Sequence, residues 1–342
     1  MEFTAPSSPS KLGVQIKNLN IGTTLSDKHI QSIRHQWVTY GVAIFPNQKL
    51  TLEQYENFSQ FFDEPFADAS AIPSMLLAKH TRKHVTVALS GDGGDESFIG
   101  YTRYKWMMQV QPFYRMPSML RQAASKFTGL LPYYKLKMIA QGLQYDNIED
   151  LYLALSTGID NSWLRQTSNY TNISEQKYLK NSSKNLLERI SDFDLKTYLN
   201  WDINTKVDRA TMAYSLEARA PLLDHRNVSF ARSLPTHFKY QGNNQKRILK
   251  DVLYDYVPKE IFDRPKAGFT MPFSSWFRNE LKNYVLEELN EDYLKQIPNI
   301  DAKEVNKRIQ QHMNGSWNRY PLIWKLLVLK QWLNKNNNYP IK

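Results

Sequence analysis

The residues best suited to chemistry lie in one loop, residues 90–96, which directly follows the apolar run 85–89. The glycines of this loop are Gly91, Gly93 and Gly94. Glycine lets backbone N–H groups approach an anionic ligand, and the hydroxyl of Ser90 adds a further donor. The carboxylates of Asp92, Asp95 and Glu96 would repel a phosphate unless a divalent cation such as magnesium lies between them. The loop therefore predicts a phosphate and magnesium site, and the alternative is an acidic surface turn after a buried strand.

Three sequence blocks, in order along the chain, carry a more specific signal. They are the loop with Phe98, Gly100, Tyr101, Arg103 and Tyr104 after it, then residues 206–213 and 215–224, then residues 264–269 with Pro272 and Trp276. Together these blocks resemble the C-terminal synthetase domain of glutamine-hydrolysing asparagine synthases, over residues 63–342. The resemblance implies an α/β fold, in which a truncated parallel sheet of the adenine-nucleotide alpha-hydrolase type is followed by a mostly helical region.

The resemblance also implies a reaction and its cofactors, ATP and Mg²⁺. In that family, ATP activates the side-chain carboxylate of aspartate as an acyl-adenylate, and ammonia then displaces AMP. By motif match, the expected ATP contacts are Ser90, Gly91, Gly93 and Gly94, the expected magnesium ligand is Asp95, and the residues expected to serve catalysis are Asp92 and Lys266. Asp92 would help to form the acyl-adenylate, and Lys266 would reach the phosphates as a mobile ammonium group.

The second block carries charged residues with two possible roles. They are Asp208, Arg209, Glu217, Arg219 and Asp224. Ion pairs that fix neighbouring helices are the favoured interpretation for this group as a whole. Within it, Arg209 is the candidate for substrate contact and catalysis, because its planar fork matches a carboxylate or phosphate through two hydrogen bonds. Glu96 could contact the ligand, or it could cap the helix that follows.

Two residues after the loop differ from the family pattern, which usually has a larger apolar residue and a glycine where this chain has Ser97 and Ile99. Ile99 is β-branched, so a positive φ at this position would strain the turn. A larger departure is that the sequence contains no Ser-Gly-Gly-x-Asp-Ser pyrophosphate loop, and it has no counterpart of the glutaminase domain with its N-terminal cysteine. We therefore expect asparagine formation to be impaired or absent. The alternative is a non-catalytic binding or interaction remnant of a gene fusion.

The first 62 residues have a different pattern, which predicts a β-α-β-α opening. Residues 12–19 and 42–45 are the expected strands, Ser26 can cap the first helix, and a second helix should follow Thr51. The segment resembles the N-terminus of taurine-dioxygenase-like proteins, whose iron ligands come from later parts of the chain. Its histidines, His29 and His35, fall on different sides of a helix and form no facial triad. We therefore divide the chain into a dioxygenase-like N-terminal fragment, 1–62, and an incomplete asparagine synthase-like synthetase domain, 63–342.

The rest of the chain shows helical periodicity. The predicted helical stretches are 109–131 and 148–164, broken by Pro117, Pro132 and Gly158, then 181–191, 193–218 and an apolar closing helix over 322–332. The aromatic residues of the closing helix are interpreted as core packing.

Composition limits the class of protein further. The net charge is +11, but the basic residues are scattered, and Lys246, Arg247 and Lys250 have the helical spacing of a solvated surface. We therefore expect no nucleic-acid partner. No run approaches the roughly 20 apolar residues of a membrane span, so we expect a cytoplasmic protein that does not bind membranes. The absence of cysteine excludes disulfides and thiolate chemistry. The expected partners are aspartate and ammonia if the chain is active, with a homo-oligomer or a partner synthetase as a further possibility.

Overall fold

The computed structural model describes residues 2–4, 14–17, 26–40, 43–44, 61–129, 140, 142–157, 163–165, 176–181, 183–262 and 271–336. The chain divides into two compact units. The first contains Met1–Phe58 and Lys250–Gly268, and the second contains Ser59–Leu249 and Phe269–Lys342. Lys266 lies outside the described residues, so its predicted contact with phosphates stays a prediction.

The first unit opens with a small sheet and one helix. Its elements are β1 Glu2–Thr4, β2 Val14–Lys17, α1 Asp27–Tyr40 and β3 Ala43–Ile44. Strand β2 pairs with β1 antiparallel and with β3 parallel. The Ser26 hydroxyl accepts a hydrogen bond from the His29 N–H at 3.3 Å, so the predicted cap is confirmed. The predicted β-α-β order is also confirmed, and the helix expected after Thr51 falls largely outside the described residues.

The second unit is mostly helical and contains the loop of interest. Up to that loop and just beyond it, its elements are α2 Ala71–Thr81, β4 Val87–Leu89, α3 Gly94–Ser97, α4 Thr102–Val110, a 3₁₀ turn Gln111–Arg115, α5 Ser118–Gly129, α6 Ile148–Thr157 and α7 Gln176–Leu179. The middle part contains α8 Leu186–Lys196, a π-helix Leu199–Asn204, α9 Thr205–Met212, β5 Glu217–Arg219, a 3₁₀ turn Pro221–Leu223, α10 His225–Ser233, α11 Thr236–Lys239, β6 Tyr240–Gln241 and β7 Asn244–Gln245.

The remaining helices complete the list of elements. They are α12 Arg247–Tyr254, α13 Lys259–Phe262, α14 Phe273–Trp276, α15 Lys282–Glu288, α16 Glu291–Gln296, α17 Ala302–Met313 and α18 Tyr320–Lys335. The α/β class, with a small parallel sheet and a mostly helical remainder, is therefore confirmed. None of the helices in the described ranges combines the length and the apolarity needed to cross a membrane.

The parallel sheet that carries the loop has two strands in the described part of the chain, β4 and β5. Val87 pairs with Glu217, Ala88 with Ala218 and Leu89 with Arg219. The ladder continues at both ends, because Thr86 accepts from the Glu217 N–H and the Ser90 N–H donates to Arg219. Strand β4 therefore delivers its C-terminal loop beside the end of β5, the usual place of a ligand site in a parallel sheet.

Two apolar clusters anchor the helices of this unit. The cluster behind the loop joins α4, α6 and α8 and includes Met107, Leu151 and Phe193, all nearly inaccessible to solvent. The second cluster lies around α18, where the Trp324 ring stacks on Phe273 with centroids 4.4 Å apart. The predicted apolar closing helix, with its aromatics used in packing, is thus confirmed at this point.

The continuous helix expected over 193–218 is wrong. Helix α8 ends at Lys196, the π-helix and α9 follow, and residues 217–219 form a strand. The physical reason is a helix-terminating motif in which Ser215 has φ 56° and the Leu216 N–H bonds back to the Thr211 carbonyl at 3.1 Å. The apolar periodicity therefore predicted a helix through residues at which the chain leaves α9 and turns into β5.

The helix predicted from residue 181 also begins later. Asn185 caps α8, because its side chain accepts from the Glu188 N–H at 3.0 Å while the Glu188 carboxylate accepts from the Asn185 N–H. This capping box satisfies the backbone N–H groups of Asn185 and Glu188 at the N-terminus of the helix, where no helical carbonyl is available to accept them. The first helical residue is therefore Leu186.

Candidate functional site

The loop between β4 and α3 is a tight turn in which each glycine has a different environment. Gly93 has φ 82°, a left-handed conformation that favours glycine, and it precedes α3 directly. A Cβ at Gly93 would overlap the side chain of Leu223, and one at Gly94 would lie 2.8 Å from Leu222 Cδ1. At Gly91 a Cβ would meet no described atom within 4 Å. Gly93 and Gly94 thus serve packing against the 3₁₀ turn, and Gly91 leaves open space.

Ser90 and Asp92 flank that open position. The Ser90 N–H is used by the sheet, while its hydroxyl oxygen is buried and has no hydrogen-bond partner among the described residues. Asp92 is partly exposed. An unpaired buried hydroxyl beside an open glycine is a combination that fits a polar or anionic ligand, since a ligand oxygen could accept the unused O–H.

Asp95, the predicted magnesium ligand, faces a lysine. The Lys246 ammonium lies 3.2 Å from Asp95 Oδ1, and the side chains of the two residues are 31% and 22% exposed. The contact is built in by the backbone, because Lys246 has φ 52° and its N–H donates to the Phe98 carbonyl at 3.2 Å. Gly100 leaves room for the pair, since a Cβ there would overlap both side chains.

This pairing bears on whether magnesium fits the loop. Within the described ranges, the structure contains no group of three or more His, Cys, Asp or Glu side chains placed to hold a metal ion. The Asp95 carboxylate, which should supply a ligand oxygen, is already neutralised by an ammonium. The described residues therefore form no ready-made magnesium cluster, and the role of Asp95 as a magnesium ligand stays a prediction. The interpretation of Lys246 as solvated surface is wrong, because its preceding turn directs it into the loop.

Glu96 points away from the loop and into the core. It is nearly inaccessible to solvent, and its carboxylate accepts a hydrogen bond from the Tyr101 hydroxyl at 2.5 Å. Burial raises the pKa of the Glu96 carboxyl. The Ser191 hydroxyl also donates to the Glu96 carbonyl at 2.7 Å, which ties α3 to α8. These contacts make Glu96 a structural residue and differ from the helix cap that the sequence suggested.

The turn after Phe98 has the strain that the sequence predicted. Ile99 has φ 57° and is fully buried in the cluster behind the loop. A β-branched residue with positive φ costs roughly 1–2 kcal/mol relative to an unstrained backbone. The contingent prediction of strain at Ile99 is therefore confirmed.

Arg209 forms an ion pair with Asp63. It lies on α9, which packs against α2. The structure thus gives Arg209 a partner at the surface, and its role in substrate contact stays a prediction. The neighbouring charged residues have structural contacts: Asp224 caps α10 by accepting from the Arg226 N–H at 2.9 Å, and Arg219 pairs with Glu217 at 2.7 Å.

A buried polar network behind the loop was missed from the sequence. Asp194 Oδ2 accepts from the Arg103 guanidinium at 2.6 Å, the Tyr104 hydroxyl at 2.6 Å and the Tyr152 hydroxyl at 2.5 Å. The Arg103 guanidinium also lies over the ring of Tyr101, 4.1 Å from its centroid. Arg103 and Tyr104 belong to the first sequence block, so the signal was present, but their partner Asp194 lies inside a helix without a motif.

A second missed cluster joins α9 to the segment before α2. The Lys206 ammonium donates to Asp68 Oδ2 at 2.6 Å and to the Ser70 hydroxyl at 2.9 Å, and Asp202 Oδ1 lies 3.9 Å away. Burial, together with the neighbouring Asp68 charge, raises the pKa of Asp202 to about 7. This cluster fixes α9, and with it the approach to β5.

Comparison with known proteins shows which family this chain resembles. A family model described as asparagine synthase matches residues 41–334. The chain is 29% identical over 284 residues to glutamine-hydrolyzing asparagine synthetase 1 of Bacillus subtilis, covering 80% of this chain and 44% of that protein. It is 30% identical over 283 residues to a putative glutamine-hydrolyzing asparagine synthetase of Mycobacterium tuberculosis, covering 80% of this chain and 43% of that protein. The chain therefore spans less than half the length of these curated relatives.

Proposed function

The chain belongs to the asparagine synthase family, and we propose from this premise that it is a synthetase-type chain for ATP-dependent amide formation on aspartate, through an acyl-adenylate, with impaired activity. Members of this family use ATP and Mg²⁺. The observation that carries the impairment is the Asp95–Lys246 contact, because the acid expected to hold magnesium is paired with an ammonium. The loop retains the elements of a weak anion site, namely the unpaired Ser90 hydroxyl and the open space at Gly91.

The missing pyrophosphate loop supports the same proposal. The sequence contains no Ser-Gly-Gly-x-Asp-Ser segment that could add amide donors and a second carboxylate. Loss of one preorganised donor at a transition state lowers the rate by roughly 100- to 1000-fold, which corresponds to about 3–4 kcal/mol. Loss of several donors, together with a neutralised metal ligand, would remove most of the activity.

Calorimetric titration of the purified chain with MgATP tests this proposal, with Asp95→Ala and Ser90→Ala as variants. We expect millimolar or undetectable binding by the unmodified chain and no further loss in Asp95→Ala, because Asp95 is paired with Lys246. Any residual ATP binding should weaken in Ser90→Ala. Tight, magnesium-dependent binding that Asp95→Ala abolishes would contradict the proposal.

The second candidate function is a non-catalytic interaction protein. The exposed apolar side chains of β4 favour it, because Val87 is 40% and Leu89 is 74% exposed. This candidate predicts a stable complex with another protein chain without any nucleotide.

A further inference from the structure

Strand β4 exposes an apolar stripe on one face. Val87 and Leu89 are two residues apart, so their side chains lie on the same side of the strand, and they are 40% and 74% exposed. Val85, in the turn before the strand, is 44% exposed. The neighbouring strand β5 adds the exposed residues Glu217 and Arg219 on this face. Two exposed large apolar side chains in a row are unusual at a free sheet edge, where charged residues normally block pairing.

Among the described strands, only one edge of β4 is paired. Thr86 and Ser90 make the hydrogen bonds to β5, so the N–H and C=O groups of Val87 and Leu89 point to the opposite side. In the described part of the chain, β4 has one hydrogen-bonded neighbour, β5. Its other edge therefore combines unpaired backbone groups with apolar side chains, which together form a template for another strand.

The charges around β4 indicate the orientation of that strand. A basic turn, Arg82, Lys83 and His84, precedes the strand, and an acidic turn that carries Asp92 follows it. A second β4 in the parallel direction would place like charges together. An antiparallel β4 would place the basic turn of each copy beside the acidic turn of the other, which is electrostatically complementary.

We propose that a second copy of this chain docks on the free edge of β4, antiparallel, with the two-fold axis passing through Val87. In this register Val87 faces Val87 of the second copy, and Val85 faces Leu89. The outward-pointing backbone groups of Val87 then meet those of the second Val87, while the Val85 N–H stays bonded to the Thr81 carbonyl at 3.0 Å. The two sheets become one sheet of four strands in the order β5, β4, β4, β5. The interface is isologous and closed, so it produces a dimer and stops there. The proposal does not depend on the chemistry proposed above.

Sedimentation equilibrium with charge-swapped variants tests the docking surface and its register. The unmodified chain should sediment with twice its chain mass of 40.1 kDa. Val87→Lys and Val87→Asp should each sediment as monomers, because like charges face each other at the axis. An equimolar mixture of the two variants should recover the dimer. Met119→Lys, at a side chain that is 82% exposed on α5, is the matched control and should remain dimeric.

A cysteine variant provides a second measurement, in which a gain of cross-linking, and not the loss of the dimer, reports the contact. The chain has no cysteine, so Val87→Cys introduces a single thiol. Directly opposed residues in an antiparallel hydrogen-bonded pair have Cα atoms about 5.5 Å apart, within disulfide range. Mild oxidation should give a disulfide-linked dimer with Val87→Cys and far less with Met119→Cys.

Three results would overturn the proposal. One is a monomeric unmodified chain across the micromolar range, whether or not it binds a different protein. Another is a dimer that Val87→Lys leaves intact. The third is a combination of two results: the mixed charge variants do not associate, and the two cysteine variants cross-link to the same extent.

Discussion

Among single residues, Asp95 decides most about the loop, because its charge is shared with Lys246. Its carboxylate is 3.2 Å from the Lys246 ammonium, and both side chains are mostly buried. One ammonium supplies a single positive charge without the ligand geometry that magnesium provides. The loop therefore keeps the carboxylate of Asp95 in an ion pair with Lys246.

A double-mutant cycle measures this pair directly. Asp95→Asn, Lys246→Met and the double variant should show a coupling free energy of about 0.5–1 kcal/mol in urea unfolding. The coupling should decrease in high salt because the pair is partly accessible. A coupling of zero within error would show that the two side chains do not interact in solution.

Ile99 provides a second test at this scale, because its strain comes from the backbone and not from its side chain. With φ at 57°, glycine should be preferred over alanine at this position. We expect Ile99→Gly to be more stable than Ile99→Ala by about 1 kcal/mol in free energy of unfolding.

The matched control for Ile99 is Ile190, which is equally buried but lies within α8. There Ile190→Gly should be less stable than Ile190→Ala by about 1 kcal/mol. The same order of stability at both positions would contradict the assignment of backbone strain to Ile99.

At the scale of elements, α9 is held by a buried charge cluster. Lys206 on α9 joins Asp68, and Asp202 of the π-helix lies beside them. Single π-helical turns inside helices are frequent at functional sites. Because α9 leads into β5, the cluster also positions the strand that flanks the loop.

The pH dependence of stability follows from Asp202. Its pKa in the folded state is raised to about 7, whereas the pKa of an aspartate in the unfolded chain is about 3.9. Between these values the folded state binds a proton that the unfolded state lacks, so this contribution to stability is lost as pH rises through 7. Asp202→Asn should therefore raise the free energy of unfolding relative to the unmodified chain at pH 8, and the increase should be smaller at pH 5.

Urea unfolding at both pH values checks this expectation. Asp208→Asn is the control, because Asp208 is exposed on α9 and its substitution should have the same effect at pH 5 and pH 8. An Asp202→Asn variant with a pH-independent effect would show that the carboxyl does not titrate in this range.

Local features of these elements followed from the sequence, and nonlocal ones did not. The Ser26 cap, the apolar closing helix and the strain at Ile99 each depend on residues close together in the chain. The strand β5 was missed because three residues, Glu-Ala-Arg, carry no apolar alternation and are ordered by pairing with β4. The contact of Lys246 with Asp95 joins distant segments, so periodicity suggested a solvated face instead.

At the scale of the whole molecule, the chain represents part of a larger family architecture. It spans less than half the length of the Bacillus subtilis and Mycobacterium tuberculosis proteins that it matches. Its loop, its second block and its closing helix lie within the matched residues 41–334. The resemblance of residues 12–62 to taurine-dioxygenase-like proteins, the division at residue 62 and the cytoplasmic location stay predictions.

We propose that this family member retains part of a nucleotide site but does not complete the reaction. The most direct measurement is pyrophosphate release by the purified chain with ATP, Mg²⁺, aspartate and ammonia, with asparagine quantified in the same samples. We predict no pyrophosphate or asparagine above the level of a reaction without protein. Sustained release of pyrophosphate in equal amount to asparagine would contradict the account.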